Sequence, residues 1–90
     1  MSGTRQLKIV NEKGLHARAS AKFVECVEEF DAQAEVTKDG MTVSGDSIMG
    51  LLMLGASRGT FIDVATTGTD AAALADALEA LVANRFGEDR

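Results

Sequence analysis

The chain contains no proline, tryptophan or tyrosine, and its 90 residues include one cysteine and one histidine. A single cysteine excludes an intrachain disulfide, and one cysteine with one histidine cannot complete a tetrahedral metal site. We therefore expect neither a disulfide nor a bound metal. The lone thiol, Cys26, lies within an amphipathic helical pattern, where cysteine usually acts as a small apolar residue.

Basic residues and long apolar runs are also scarce. Nine Lys and Arg residues stand against fourteen Asp and Glu residues, so the formal net charge is −5 and no basic block could follow a nucleic-acid backbone. Residues 1–7 lack the apolar region of a signal peptide, and the longest apolar run, 48–56, is too short to span a bilayer. We expect a cytoplasmic protein that binds neither nucleic acid nor membrane.

The composition is that of an ordinary folded chain. Hydrophobic residues make up 46% and charged residues 26% of the sequence, which is typical of a globular domain and not of a disordered tail. Ninety residues are enough for one core of a sheet and helices but too few for two independent cores. We predict a single domain over residues 1–90.

Hydrophobic periodicity predicts seven secondary-structure elements. Four stretches have the composition or alternation of strands: residues 4–10, 32–38, 41–43 and 61–66. Three stretches have apolar residues at helical spacing: residues 17–30, 48–54 and 71–85. The order βαββαβα predicts an α+β fold, an antiparallel sheet covered on one face by helices.

Residues at the ends of these stretches support the assignment. Asp39 and Gly40 form a tight turn signal between the second and third strands, which predicts a hairpin. Ser47 is expected to cap the second helix, Gly55 to end it in the left-handed conformation, and Asp70 to cap the third helix.

The only histidine, His16, immediately precedes the first predicted helix, so its ring is expected at the helix N-terminus. There the free N–H groups of Ala17, Arg18 and Ala19 and the positive end of the helix dipole favour an anion such as a phosphoryl group. The same field disfavours imidazolium, and a neutral imidazole has a lone pair that can attack a phosphoryl donor.

Arg18 stands two residues after the histidine, close enough for its guanidinium to fold back and hold phosphoryl oxygens in a forked contact that lysine could not match. A lone histidine at a helix start is, however, more often a polar capping residue than a nucleophile. The local pattern alone leaves both interpretations of His16 open.

Two segments resemble signatures of the HPr family, the histidine-containing phosphocarriers of the bacterial phosphoenolpyruvate-dependent phosphotransferase system. Residues 14–18, Gly-Leu-His-Ala-Arg, resemble its active-site signature, and residues 44–51, Ser-Gly-Asp-Ser-Ile-Met-Gly-Leu, resemble its second signature. The separation of the segments, the chain length and the order of elements are similar as well. The resemblance implies an open-faced β-sandwich, a four-stranded antiparallel sheet with three helices on one face.

The resemblance also implies an activity and its partners. His16 would be phosphorylated at Nδ1 with the help of Arg18, Enzyme I would be the donor, and IIA-type proteins would be the acceptors. The chain would act as a monomeric carrier. Ala19 departs from the sugar-transport branch of the family, where proline commonly follows the arginine, and this departure favours the nitrogen-related branch.

The second predicted helix carries two further expectations. Ser47 resembles the serine that HPr kinase/phosphorylase modifies in many bacteria, and a phosphate there would be compatible with its role as a helix cap. With Leu51 and Leu54 facing the sheet, helical angles place four apolar side chains outward as a patch for partner docking. These four residues are Ile48, Met49, Leu52 and Met53.

Two other functional classes are weighed against the carrier. In a non-catalytic α/β interaction module, His16 would be only a cap and residues 48–53 only core. An independent enzyme is disfavoured because the sequence has no paired carboxylates and no nucleophile–base pair. The spacing of Gly45, Gly55 and Gly59 matches no nucleotide-binding motif, so we expect no cofactor.

Overall fold

A computed structural model of the chain describes residues 2–90. The seven elements occur in the predicted order: β1 (Ser2–Lys8), α1 (Ala17–Glu28), β2 (Gln33–Lys38), β3 (Met41–Ser44), α2 (Ile48–Met53), β4 (Phe61–Thr67) and α3 (Ala71–Ala83). A short 3₁₀ turn, Arg85–Gly87, follows α3. Among the helices that the structure describes, none is long and apolar enough to cross a membrane.

The four strands form one antiparallel sheet in the order β1-β4-β2-β3. The central strand β4 pairs with β1 on one side, where Ile62 lies opposite Leu7, and with β2 on the other, where Val64 lies opposite Val36. These four side chains are buried beneath the helices, and the residues that alternate with them along β4 are mostly exposed. The predicted open-faced sandwich is confirmed.

The helices bury one stripe each against this face of the sheet. The fully buried side chains of the helical layer include Phe23 of α1, Leu51 of α2, and Leu74 and Leu78 of α3. Helix α3 packs over β1 and β4, while α1 packs against both α2 and α3. Helix α1 therefore lies between the other two helices.

The predicted hairpin between β2 and β3 is confirmed. Asp39 and Gly40 both have positive φ angles, 51° and 82°, as a two-residue type I′ turn requires. Gly55, after α2, is also left-handed as predicted, with φ 61°.

Three elements end two residues earlier than predicted. Strand β1 ends at Lys8 rather than Val10, because the partner strand begins at Phe61 and Ile9 bonds with loop residues. Helix α1 stops at Glu28 rather than Phe30, whose N–H donates only to the carbonyl three residues back. Helix α3 stops before Arg85, whose φ of 57° is incompatible with a right-handed helix.

The predicted cap of α3 is correct in position but wrong in its bonding. Asp70 occupies the N-cap position, yet its side chain makes no bond to the helix. Its Oδ2 instead accepts the N–H of Asp31 at 2.8 Å. Asp70 therefore ties α3 to the segment between α1 and β2.

Candidate functional site

His16 lies at the N-cap position of α1 but does not cap the helix. Its backbone is extended, with φ −80° and ψ −174°, and its side chain makes no bond to the first helical turn. The carbonyl of His16 accepts the N–H of Ser20 at 2.8 Å, which is the first helical hydrogen bond. The interpretation of His16 as a capping side chain is therefore wrong.

The first turn of α1 presents free donors. Within residues 2–90 the structure shows no acceptor for the N–H groups of Ala17, Arg18 and Ala19. These groups and the dipole of a 12-residue helix favour negative charge at this end. The donors predicted from the sequence are thus in place beside the backbone of His16.

The loop before His16 is fixed to the chain that follows α2. Gly14 has φ 67°, and a Cβ there would lie 2.5 Å from the carbonyl oxygen of Ala56. The next N–H, that of Leu15, donates to this same oxygen at 2.8 Å. Only glycine fits this approach, which accounts for the glycine of the motif and anchors the loop relative to α2.

The ring of His16 contacts a carboxylate from the other end of the chain. Its Nε2 lies 2.5 Å from Oε2 of Glu88. The second carboxylate oxygen accepts from Nδ2 of Asn11 at 3.0 Å, and this amide nitrogen also donates to the carbonyl of Gly14 at 2.8 Å. Asn11 is fully buried, and the side chains of His16 and Glu88 are 26% and 14% exposed.

These contacts keep Glu88 ionised. Partial burial raises the pKa of its carboxyl, but hydrogen bonds from Asn11 and His16, together with electrostatic attraction to His16 and Lys13, lower the pKa further than burial raises it. The net pKa of Glu88 lies below the ordinary value, so a carboxylate faces the imidazole at neutral pH.

An anchored C-terminal tail places Glu88. Three consecutive residues, Arg85, Phe86 and Gly87, have positive φ angles and turn the chain back toward α1. Phe86 is fully buried in the core, and Lys22 donates to its carbonyl oxygen at 2.7 Å. Sequence reasoning missed this tail, although an isolated phenylalanine followed by glycine after a helix was a signal for it.

Arg18 lies in the first turn of α1 and is exposed. Within residues 2–90 its guanidinium makes no hydrogen bond or ion pair, so it is available to an incoming anion. It borders a cleft between α1 and the tail that also contains Lys13, Lys22 and Glu88. The carboxylates of Glu12 and Asp89 line the same cleft, so its charge is mixed.

Ser47 occupies the predicted N-cap of α2. Its Oγ accepts the N–H of Gly50 at 3.0 Å, so the predicted cap is confirmed. The side chain is half-buried, and α2 packs beside α1.

The apolar surface of α2 is exposed as predicted. Leu51 and Leu54 are buried, whereas the four outward side chains retain large exposed fractions: Ile48 41%, Met49 69%, Leu52 36% and Met53 66%. We call these four residues the α2 patch.

Neither the cysteine nor any acidic cluster adds a second site. Burial, followed by the charge of Glu29, raises the pKa of the Cys26 thiol, which disfavours the reactive thiolate. In the part of the chain that the structure describes, no group of three or more His, Cys, Asp or Glu side chains could hold a metal.

Comparisons with known proteins point to one family. The family model described as PTS HPr component phosphorylation site matches residues 4–84. The phosphocarrier protein HPr of Neisseria meningitidis serogroup B is 45% identical over 84 residues, covering 93% of this chain and 94% of that protein. The phosphocarrier protein NPr of Shewanella violacea is 42% identical, covering 93% and 92%. The crystal structure of HPr-C-His from Thermoanaerobacter tengcongensis matches with a TM-score of 0.92 at 36% identity, covering 98% of this chain and 99% of that one.

Proposed function

The chain belongs to the HPr family of phosphocarriers in the phosphotransferase system, and we propose that His16 is the residue that carries the phosphoryl group. One observation supports this assignment above the others. The only histidine of the chain stands at a helix N-terminus whose first three N–H groups have no acceptor within residues 2–90. A phosphoryl group on the ring would be stabilised by those donors.

The transfer needs a nucleophile and charge stabilisation. Nδ1 of His16 attacks the phosphorus of the donor, the new N–P bond forms, and the bond from phosphorus to the donor breaks with its electron pair staying on the donor. The N–H groups of the first turn and the guanidinium of Arg18 bind the phosphoryl oxygens. No cofactor takes part in this step.

The partners in this proposal are Enzyme I as the donor and IIA-type proteins as acceptors. The α2 patch docks them, since an exposed apolar surface with two flexible methionines suits a carrier that must fit several proteins. The carrier acts as a monomer in the cytoplasm. Ala19 and the likeness to NPr of Shewanella violacea both favour the nitrogen-related branch.

Ser47 is the proposed regulatory site, with HPr kinase/phosphorylase as its modifying enzyme. Free N–H groups at the N-terminus of α2 would donate hydrogen bonds to a phosphate on Ser47, so the fold should be retained. Nearly two negative charges beside Ile48 and Met49 would then have to be desolvated when a partner covers the α2 patch. Modification therefore weakens docking and slows transfer to His16.

Incubation with Enzyme I and phosphoenolpyruvate tests the proposed function. We expect an acid-labile, base-stable phosphoprotein, and no labelling of His16→Ala. This variant should stay folded, since the ring of His16 makes no cap bond and is partly exposed. Absence of labelling in the wild type would favour the interaction module, and labelling of the variant would remove His16 from the mechanism.

A further inference from the structure

The contact between His16 and Glu88 determines which ring nitrogen carries the proton. A neutral imidazole has one N–H and one lone pair, and an ionised carboxylate can only accept a hydrogen bond. Oε2 of Glu88 lies 2.5 Å from Nε2 of His16, so the contact favours the neutral tautomer whose proton is on Nε2. In this tautomer the lone pair is on Nδ1.

We propose that Glu88 is a positioning residue for phosphoryl transfer, which rests on the proposed role of His16 as the acceptor. Glu88 holds the ring with its N–H at Nε2 and with Nδ1 free to attack. When the Nδ1–P bond forms and the donor bond breaks, no proton leaves His16, so the phosphorylated ring becomes positively charged. The carboxylate then faces this charge and stabilises it, as the aspartate of a catalytic triad stabilises its imidazolium.

The unusual backbone angles of the tail favour a functional role for the contact between Glu88 and His16. Arg85 and Phe86 are held in the left-handed region, which L-residues rarely adopt, and such geometry persists only where surrounding contacts enforce it. Here the turn brings a carboxylate back from the C-terminal end of the chain to its only histidine.

The contact between Glu88 and His16 is not what anchors the tail. Burial of Phe86 and the bond from Lys22 to its carbonyl fix the tail one residue before Gly87, without any part of Glu88. Asn11 then orients the carboxylate through its Nδ2. Changing the charge of Glu88 should therefore leave the fold and the position of the tail intact.

The first test measures transfer kinetics. For Glu88→Gln we expect kcat for phosphorylation by Enzyme I to fall about tenfold, the effect of one charge-assisted hydrogen bond, with KM unchanged. Glu88→Asp should recover part of the loss. Asp89→Asn removes the neighbouring, exposed carboxylate and should behave as wild type. An unchanged or faster Glu88→Gln, or an effect on KM alone, would overturn the inference.

The second test is spectroscopic and needs no partner. Because the chain has one histidine, the ¹⁵N signals of its ring are unambiguous. The Nε2 proton of the wild type should resonate downfield and exchange slowly, and it should shift upfield in Glu88→Gln but not in Asp89→Asn. Identical spectra would contradict the contact.

Failure of this inference is distinguishable from failure of the proposed function. If the wild type is labelled, His16→Ala is not, and Glu88→Gln behaves normally, only the role of Glu88 fails; if the wild type is not labelled, the proposed function fails as well.

Discussion

Phe86 should be the anchor of the C-terminal tail, and Phe86→Ala tests this directly. Its ring is fully buried in the core cluster, and replacing a buried phenylalanine by alanine usually costs about 3–5 kcal/mol. Part of this loss is recovered, because a released tail frees Arg85 and residue 86 from left-handed conformations that are each unfavourable by about 1 kcal/mol or more. The expected net loss is about 1–3 kcal/mol.

Urea unfolding and thermal denaturation measure this loss. For a domain of this size each kcal/mol changes Tm by about 4–8 °C, so Tm should fall by roughly 4–24 °C. Phe61→Ala is the matched control, because Phe61 is 49% exposed on β4 and its truncation should cost about 1 kcal/mol or less. The Nε2 proton signal of His16 should also move upfield in Phe86→Ala, since the tail that carries Glu88 is released.

Phe86 is not the anchor of the tail if Phe86→Ala is no less stable than Phe61→Ala. An unchanged histidine signal in a strongly destabilised Phe86→Ala would also exclude this role, because the tail would then be held by contacts other than the buried ring.

The remaining predictions concern transfer, docking and pH. Arg18→Lys keeps the charge but loses the planar guanidinium that can bind two phosphoryl oxygens at once. Stopped-flow kinetics should show slower phosphoryl transfer, equivalent to roughly 1.5–3 kcal/mol. Unchanged kinetics would remove Arg18 from the mechanism. Met49→Glu should raise KM for Enzyme I about tenfold or more with a near-native Tm, whereas a large drop in Tm would place this side chain in the core. Ser47→Asp keeps a good N-cap, so we expect a near-native Tm but weaker docking to Enzyme I. Ser47→Ala loses the cap and should lose about 1 kcal/mol of stability with normal docking. Equal transfer rates for Ser47→Asp and wild type would leave Ser47 as a cap only. The folded pKa of Glu88 is below the unfolded value of about 4.3, so its stabilisation is present above that pH and is lost as the pH falls through the folded pKa. Urea unfolding between about pH 6 and 3 should therefore show a smaller acid-induced loss for Glu88→Gln than for wild type, and equal losses would contradict the shift.

Local signals in the sequence predicted the order of the elements, the turn between β2 and β3, and the cap and outward face of α2. The turn between β2 and β3 follows from Asp39 and Gly40, because few dipeptides tolerate two positive φ angles. The start of α2 follows from Ser47 and the left-handed turn after the helix from Gly55, and burial of Leu51 but not Met49 follows from helical angles. Each of these features depends on residues a few positions apart.

Features that depend on distant residues could not be predicted in the same way. His16 and Glu88 are 72 positions apart in the sequence, so neither helical nor strand periodicity could predict their contact. The residues of the tail are too few to show a pattern, and Arg85 and Phe86 adopt left-handed angles that their own propensities disfavour. The side chain of Asp70 likewise bonds to a distant N–H, that of Asp31, instead of its own helix.

The most direct test of the central claim is an NMR spectrum of the protein with ¹⁵N-labelled histidine after phosphorylation by Enzyme I. We expect one phosphoryl group and a ³¹P–¹⁵N coupling to Nδ1 of His16. A coupling to Nε2, a phosphate on another residue, or an unmodified histidine would contradict this claim.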